Sequence, residues 1–181
     1  NGGGDLVLSG ANTYSGGTTL SGGSTRGDTS SLQGAIVNNA TLTFEQNSDG
    51  SYTGNLTGAG NLNKTGIGAL LLTGNNTFTG NTAVQAGALN VNGVLNSANV
   101  NVASGAKIGG SGVFAGAVQL ANGATLTGGG SATPLSVGSL ALSSGTNLDF
   151  TLGSAASSTT VVNVAGNLTL DGTLNISNAG G

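Results

Sequence analysis

"LLLTGNNTFTGNTAVQAGA" at residues 70–88 repeats the pattern of "LVLSGANTYSGGTTLSGGS" at residues 6–24. The two stretches align without a gap from their first residues, Leu70 and Leu6, to their last. Repetition at a fixed spacing is typical of repeat architectures, in which each copy occupies an equivalent place along one stack. The repeated stretch therefore predicts a fold built from stacked, similar units.

Composition favours a folded chain of low charge. Of the 181 residues, 36 are Gly, three are basic and six are acidic, and His, Cys, Met and Trp are absent. Leu, Ile, Val and Phe together number 43, more than disordered chains usually carry. We expect a thin, elongated core. The lack of an initiator Met and the Gly runs at both ends predict a piece of a longer chain.

The same composition excludes several classes of function. Without Cys there are no disulfides, thiolate metal sites or thiol nucleophiles. Three basic residues and a pI near 4.2 argue against nucleic acid or an anionic membrane as a partner. No long apolar run occurs, so we expect no transmembrane segment.

A second, shorter pattern predicts strands joined by glycine corners. It occurs in "VNVASGAKI" (100–108), "VQLANGATL" (118–126), "LALSSGTNL" (140–148) and, contracted, in "LTLDGTL" (168–174). Apolar residues alternate over short stretches, which is typical of strands, and each Gly marks a turn that we expect to need a positive φ. An antiparallel sandwich is the competing fold, with Asn-Gly and Asp-Gly pairs as hairpin signals. Because such pairs are few, we predict an all-β solenoid of about eight or nine coils, each of roughly 21 residues.

The repeated positions have structural explanations. Leu70 and Leu72 lie on one face of a strand and are predicted to be core. Asn76 and Thr77 are expected in a turn, where an Asn side chain can bond the backbone or accept a left-handed conformation. Phe78 and its counterpart Tyr14 are expected to cap one apolar edge. The predicted structural positions are Gly66, Gly68, Leu70, Leu72, Gly74, Asn76, Thr77, Phe78, Gly80 and Gly87.

These residues carry a family resemblance. "GAGNLNKTGIGALLLTGNNTFTGNTAVQAGAL" (58–89) resembles the passenger-associated transport repeat of bacterial autotransporters, with Gly-x-Gly-x-Leu-x-Lys followed by Gly-x-Gly-x-Leu-x-Leu and Asn-Thr-aromatic. Residues 2–24 resemble a truncated first copy. The tail "TTVVNVAGNLTLDGTLNIS" (159–177) is similar to the last coils of such passengers, so residues 139–177 are expected to be C-terminal-type coils.

The resemblance implies a right-handed parallel β-helix, with residues 1–181 forming one segment of a longer type V passenger. It implies export with the help of the protein's own C-terminal translocator β-barrel, and display on the surface of a Gram-negative bacterium, anchored to or released from the outer membrane. Coil-by-coil folding would aid translocation, because each folded coil prevents backsliding, and the folded coils would form a surface stalk. A monomer is expected.

No enzyme site is expected. The six carboxylates are scattered, and without His no Ser-His-Asp triad can form. Glu45 and Asp49 are expected in a solvated turn, and Asp149 is expected to face outward from its strand. We therefore predict no catalytic residue, no metal site and no cofactor.

Arg26, Gly27 and Asp28 form the one candidate binding motif. The tripeptide resembles the integrin-recognition sequence, and its Gly-, Ser- and Thr-rich flanks predict a protruding loop. The alternative function is therefore an adhesin surface that binds a host-cell receptor through these three residues. A solvated loop without a ligand is the competing interpretation.

Overall fold

The computed structural model describes residues 3–128, 133–152 and 161–178. Gly2 and residues 159–160, which belong to the predicted first repeat and C-terminal tail, lie outside these ranges. The described residues form 22 strands and no α-helix. The strands are β1 (Asp5–Val7), β2 (Thr18–Leu20), β3 (Ser24–Gly27), β4 (Ile36–Asn38), β5 (Thr41–Glu45), β6 (Gly50–Tyr52), β7 (Leu56–Thr57), β8 (Asn61–Thr65), β9 (Ala69–Leu72), β10 (Asn75–Asn76), β11 (Thr82–Val84), β12 (Ala88–Val91), β13 (Val94–Leu95), β14 (Asn99–Val102), β15 (Lys107–Gly109), β16 (Val113–Leu120), β17 (Thr125–Thr127), β18 (Leu135–Leu142), β19 (Asn147–Leu152), β20 (Val162–Val164), β21 (Leu168–Thr169) and β22 (Thr173–Asn178).

Strand pairing makes the fold a β-solenoid. Every pairing between described strands is parallel, which rules out the antiparallel sandwich. Within the described ranges, the strands form sheets of 12, 7 and 3 strands. The seven-stranded sheet, β6-β9-β12-β15-β17-β19-β22, follows about seven turns, close to the eight or nine predicted. The right-handed sense of the coil stays a prediction.

Register shows that the coils differ in length. Thr82 pairs with Leu62 of the preceding coil and with Val100 of the following coil, so one coil covers 62–81 and the next, slightly shorter, covers 82–99. The last paired coil is longer, because Leu140 pairs with Leu168.

One strand, β16, crosses two sides of the solenoid. Val113 at its start pairs with β13, and Val118 near its end pairs with β14. The register toward β18 shifts between Phe114 and Ala117, where the strand passes from one side to the other. The 12-stranded sheet therefore combines two sides.

The core runs along the solenoid axis as columns of stacked apolar side chains. Leu70 and Leu72 are buried, as predicted, and Leu70 stacks on Leu89 of the next coil. Alternation on each strand places one residue inside and the next outside, so Leu71 is only half-buried. Full burial of a Leu side chain contributes about 1.5–3 kcal/mol. Each coil therefore gains much of its stability from its neighbours.

Three of the four predicted glycine corners adopt a positive φ. In the strand–corner–strand units, Gly105 (φ 78°), Gly123 (φ 81°) and Gly172 (φ 108°) adopt the predicted positive φ. The prediction is wrong for Gly145, whose φ is not positive. There, an added Cβ would lie 1.6 Å from Oδ1 of Asn122 in the preceding coil. That oxygen ends a flexible side chain that can move aside, so the structure gives no steric reason for a glycine at this position.

One column of glycines runs along the stack, and each member above the first lies close to the backbone of the preceding coil. At Gly74 an added Cβ would lie 2.3 Å from the carbonyl oxygen of the glycine one coil earlier, a distance that real Cβ atoms do not show. The same clash, at 2.1–2.2 Å, occurs at the other members above the first. The column is Gly34, Gly54, Gly74, Gly93 and Gly112. The backbones of neighbouring coils therefore leave no space for a side chain at this corner.

We expect Gly80→Ala to destabilise the chain by about 1–3 kcal/mol, because its Cβ would lie 2.1 Å from the carbonyl oxygen of Gly60. Gly16 is the matched control, since it occupies the same position in the first repeat and has no atom within 4 Å of an added Cβ. Gly16→Ala should change stability by less than about 0.5 kcal/mol. Urea unfolding of the two variants measures both values, and equal losses would contradict the close-approach explanation.

Candidate functional site

Lys64 is a fully buried ammonium in the middle of the solenoid. It lies on β8 and faces inward, on the same side of the strand as Leu62. Its Nζ donates to the carbonyl oxygens of Thr65 (2.8 Å), Gly66 (2.9 Å) and Ala86 (3.1 Å). Three acceptors match the three N–H groups of an ammonium. Because Ala86 belongs to the next coil, the side chain joins two coils.

Sequence reasoning matched Lys64 to the repeat but did not predict its role. The signal was present in "NLNKT", where Lys64 has the same parity as the core residue Leu62. A cation at an inward position is rare, because burying a charge is costly unless partners are supplied. Those partners are visible only in the folded stack.

Asn76 is the second buried polar group of the repeat, and it connects three coils. Its Oδ1 accepts from the backbone N–H of Leu56 at 3.1 Å, and its Nδ2 donates to the carbonyls of Gly74 and Val94, each at 3.1 Å. Leu56 lies one coil earlier and Val94 one coil later. In the first copy, Nδ2 of Asn12 reaches the Ser31 carbonyl of the next coil at 2.9 Å. Asn76 lies on β10 and not in the expected turn, and of the two roles expected for its side chain the structure shows hydrogen bonding to the backbone.

The next two residues of the repeat, Thr77 and Phe78, follow directly after β10. Thr77 is exposed, and its backbone N–H donates to the Leu56 carbonyl at 2.8 Å. Phe78 is buried, whereas its counterpart Tyr14 is half-buried, with a hydroxyl that accepts from the N–H of Gln33 at 3.0 Å. The aromatic side chain at this position is therefore held by apolar packing in one copy and partly by a hydrogen bond in the other.

The remaining glycines of the repeat pack against the preceding coil. Gly66 (φ 76°) and Gly87 (φ 65°) have a positive φ. At Gly68 an added Cβ would lie 2.4 Å from the carbonyl carbon of Ser48, and at Gly87 it would lie 2.4 Å from the Gly68 oxygen. These corners, like the column of glycines, need the absence of a side chain.

Exposed side chains add three hydrogen bonds between one pair of neighbouring coils. In each bond, a side-chain oxygen of one coil accepts from a backbone N–H of the next coil. The pairs are Asp49 with Ala69 (2.8 Å), Asn55 with Asn75 (2.9 Å) and Asn61 with Asn81 (2.9 Å). A coil that shifted by one residue would lose these bonds, so the three bonds help to define the register between the coils.

The structure does not place the Arg26–Gly27–Asp28 tripeptide in a protruding loop. Arg26 and Gly27 belong to β3, where Arg26 is paired on one side with Val7 and on the other with Thr43. Its guanidinium lies 3.4 Å from Glu45 in an exposed ion pair. The loop prediction is wrong because parallel pairing on both sides holds this segment within the sheet.

Asp28 directs its carboxylate into its own turn. Oδ1 accepts from the N–H of Ser30 (2.9 Å), the hydroxyl of Ser30 (2.6 Å) and the N–H of Ser31 (2.9 Å). These bonds, with the Ser30 hydroxyl as the largest effect, lower the pKa of the Asp28 carboxyl. The carboxylate thus stabilises the corner after β3. A cell-attachment role for the tripeptide stays a hypothesis.

The other acidic residues make local contacts. Glu45 lies at the end of β5 and not in the expected turn, whereas Asp49 lies exposed just before β6. Asp149 is paired on its strand with Asn175, whose Nδ2 donates to the Asp149 carboxylate at 2.7 Å in an exposed contact, which fits the predicted outward position. Over residues 3–128, 133–152 and 161–178, no group of three or more His, Cys, Asp or Glu side chains could hold a metal ion. Within those ranges no helix has the length and apolarity needed to cross a membrane.

Comparisons with known proteins bear on the repeat. A model of the passenger-associated transport repeat matches residues 1–25 and 62–91. The adhesin BmaC autotransporter of Brucella suis biovar 1 (strain 1330) is 40% identical over 78 residues, which are 42% of this chain and 2% of that protein. The chain therefore spans a very small part of this relative. No solved structure matches. Both matched segments are therefore similar to the passenger-associated transport repeat, as the sequence predicts.

We expect Lys64→Met to lower the free energy of unfolding by about 1–3 kcal/mol at neutral pH, because three partly buried carbonyls lose their donor. Burial lowers the pKa of Lys64 below 10.5, and the charge of Asp49 opposes this shift. The folded state then binds fewer protons than the unfolded state, so stability rises with pH up to about 10.5.

The stability difference between the wild type and Lys64→Met should therefore grow between neutral pH and about pH 10. Chemical unfolding at several pH values measures it. Lys107→Met is the control, since Lys107 is exposed. A difference that is independent of pH, or equal in the control, would contradict the buried-ammonium interpretation.

Proposed function

We propose that this chain is a structural and export-promoting segment of a type V passenger, in which coil-by-coil folding aids outer-membrane translocation and builds a surface stalk. Autotransporter passengers are secreted to the surface of Gram-negative bacteria. On this proposal residues 1–181 form a single segment of a longer passenger, with repeat copies at 2–24 and 58–89 and C-terminal-type coils at 139–177. A linked C-terminal translocator would accompany export, and the segment would act as a monomer.

The observation that carries this proposal is the position of the repeat's buried polar groups between coils. Lys64 bonds a carbonyl of the following coil, and Asn76 bonds one coil on each side. At the open end of an incomplete stack these groups face water, and their hydrogen bonds to the missing coil are not formed. Docking of the adjacent coil buries the groups and forms these bonds, each of which contributes about 0.5–1.5 kcal/mol, so folding is favoured one coil at a time. A chain emerging through a pore would gain free energy in the direction of export.

We propose no enzymatic role. The described carboxylates contact backbone N–H groups or exposed partners rather than one another, and the relative is named an adhesin. A scaffold that is stabilised by contacts between its coils suits a structural stalk.

Deletion of residues 62–81 tests the export role. This deletion removes one whole coil and keeps the register, because Thr82 then takes the place of Leu62. It also removes Lys64 and Asn76. In the full-length passenger with its translocator, we expect surface display, measured by protease shaving of intact cells, to fall by about tenfold or more.

Deletion of residues 100–117 is the matched control. It removes one whole coil outside the matched repeats, with Val118 taking the place of Val100. We expect this variant to retain most of its surface display. Equal display of both variants, whether high or low, would contradict a specific role of the repeat in export.

A second candidate, an adhesin surface, is favoured by the name of the relative. If Arg26–Gly27–Asp28 binds a receptor, Arg26→Gln should reduce binding of the surface-displayed passenger to purified integrin ectodomains at least tenfold. Glu45→Gln is the control, because it removes the same ion pair without touching the tripeptide. Either change should alter stability by less than about 1 kcal/mol, since the pair is exposed. Equal binding by the two variants would disprove this attachment role.

A further inference from the structure

Ile67 is an apolar side chain that the fold leaves in solvent. With 84% of its surface exposed, it is the most exposed large apolar residue in the described ranges. The others with more than about 40% exposure lie on the first or last coils, where the stack has no neighbour; they are Leu6, Val7, Leu168, Leu170, Leu174 and Ile176. Ile67 lies mid-stack, so the absence of a neighbouring coil does not explain its exposure.

The repeat itself does not require an apolar residue here. The corresponding position in the first copy is Gly3. Ile67 stands between Gly66 and Gly68, whose packing on the preceding coil uses backbone atoms alone. Its side chain therefore contributes little to the folding of its own coil.

Ile67 borders an open groove of about 410 Å³ on the outer surface of the seven-stranded sheet. Ala69 and Ala88 form its floor and are direct partners on β9 and β12. Their small side chains lower this part of the sheet surface, while Ile67 stands above it. The groove is thus apolar in the middle.

Opposite charges close the two ends of the groove. Asp49 lies one coil before Ala69 and accepts its N–H at 2.8 Å, and Lys107 lies one coil after Ala88. Asp49, Ala69, Ala88 and Lys107 form one outward column, so the two charges are three coil steps apart, about 14 Å at about 4.8 Å per step. Within the described residues the Lys107 ammonium has no hydrogen bond or ion pair, although its backbone N–H donates to the Gly87 carbonyl at 2.9 Å. The charges are available to a partner.

We infer that this groove binds an extended peptide segment of another protein, lying along the solenoid axis. The segment carries a basic side chain toward Asp49, an acidic side chain toward Lys107 and a branched apolar side chain against Ile67. An extended chain rises about 3.3 Å per residue, so the two charged residues are four positions apart. Complementary end charges set the orientation, and the apolar contact supplies most of the affinity.

The test uses the purified full chain and a fluorescent peptide with blocked ends, Gly-Lys-Ser-Leu-Ser-Glu-Gly. We expect saturable binding that is weakened at least tenfold by Ile67→Gly, which copies the first repeat. Asp49→Asn and Lys107→Gln should each weaken it at least threefold. Asp49→Asn retains the oxygen that accepts the Ala69 N–H, so the fold is preserved. Val113→Ala, at a partly exposed apolar site elsewhere, should leave binding unchanged.

Two peptides test the chemistry of the ligand. Replacement of Glu by Lys, or of Leu by Ser, in the same peptide should abolish binding. Equal binding of the all-basic peptide, or binding that survives Ile67→Gly, would overturn the inference. Sedimentation that shows a wild-type dimer, dissociated by Ile67→Gly, would also overturn it, because the occupant would then be a second copy of this chain.

Discussion

The close approach of successive coils is the constraint on which this structure depends. Parallel strands pair about 4.8 Å apart on each side of the solenoid, and the corners must follow the same spacing. At Gly54, Gly74 and Gly93 that spacing leaves the preceding carbonyl oxygen where a Cβ would be. The glycine content, which in isolation suggests flexibility, here permits tight stacking.

In a core made of short strands, the register between neighbouring coils needs to be defined, and buried polar groups help to define it. Lys64 and Asn76 are completely buried, yet each bonds backbone groups of its own and neighbouring coils. Among the described residues no buried side-chain nitrogen or oxygen lacks a partner. Apolar columns alone tolerate sliding between similar coils, whereas these bonds exist in one register only. The repeat therefore supplies hydrogen bonds between coils in addition to the residues that form the strands.

Much of the fold was predictable from local pattern. Alternation in "ALLL" correctly placed Leu70 and Leu72 in the core, and the recurring units correctly predicted parallel coils. The errors and omissions share one cause, since each depended on a neighbour distant in sequence. Lys64 bonds a carbonyl of the coil that follows, and Arg26 is paired with strands on both sides.

By itself, the sequence determined the class of fold, the repeat and the inward face of each strand, because these follow from the spacing of residues along the chain. Only the tertiary structure decided which glycines avoid a clash, what satisfies the Lys64 ammonium, and that Arg26 lies within a sheet. It also brought Asp49, Ile67 and Lys107 to one groove, although they belong to different coils. These features depend on which residue of the next coil lies alongside, and coils of unequal length make that pairing invisible to local pattern.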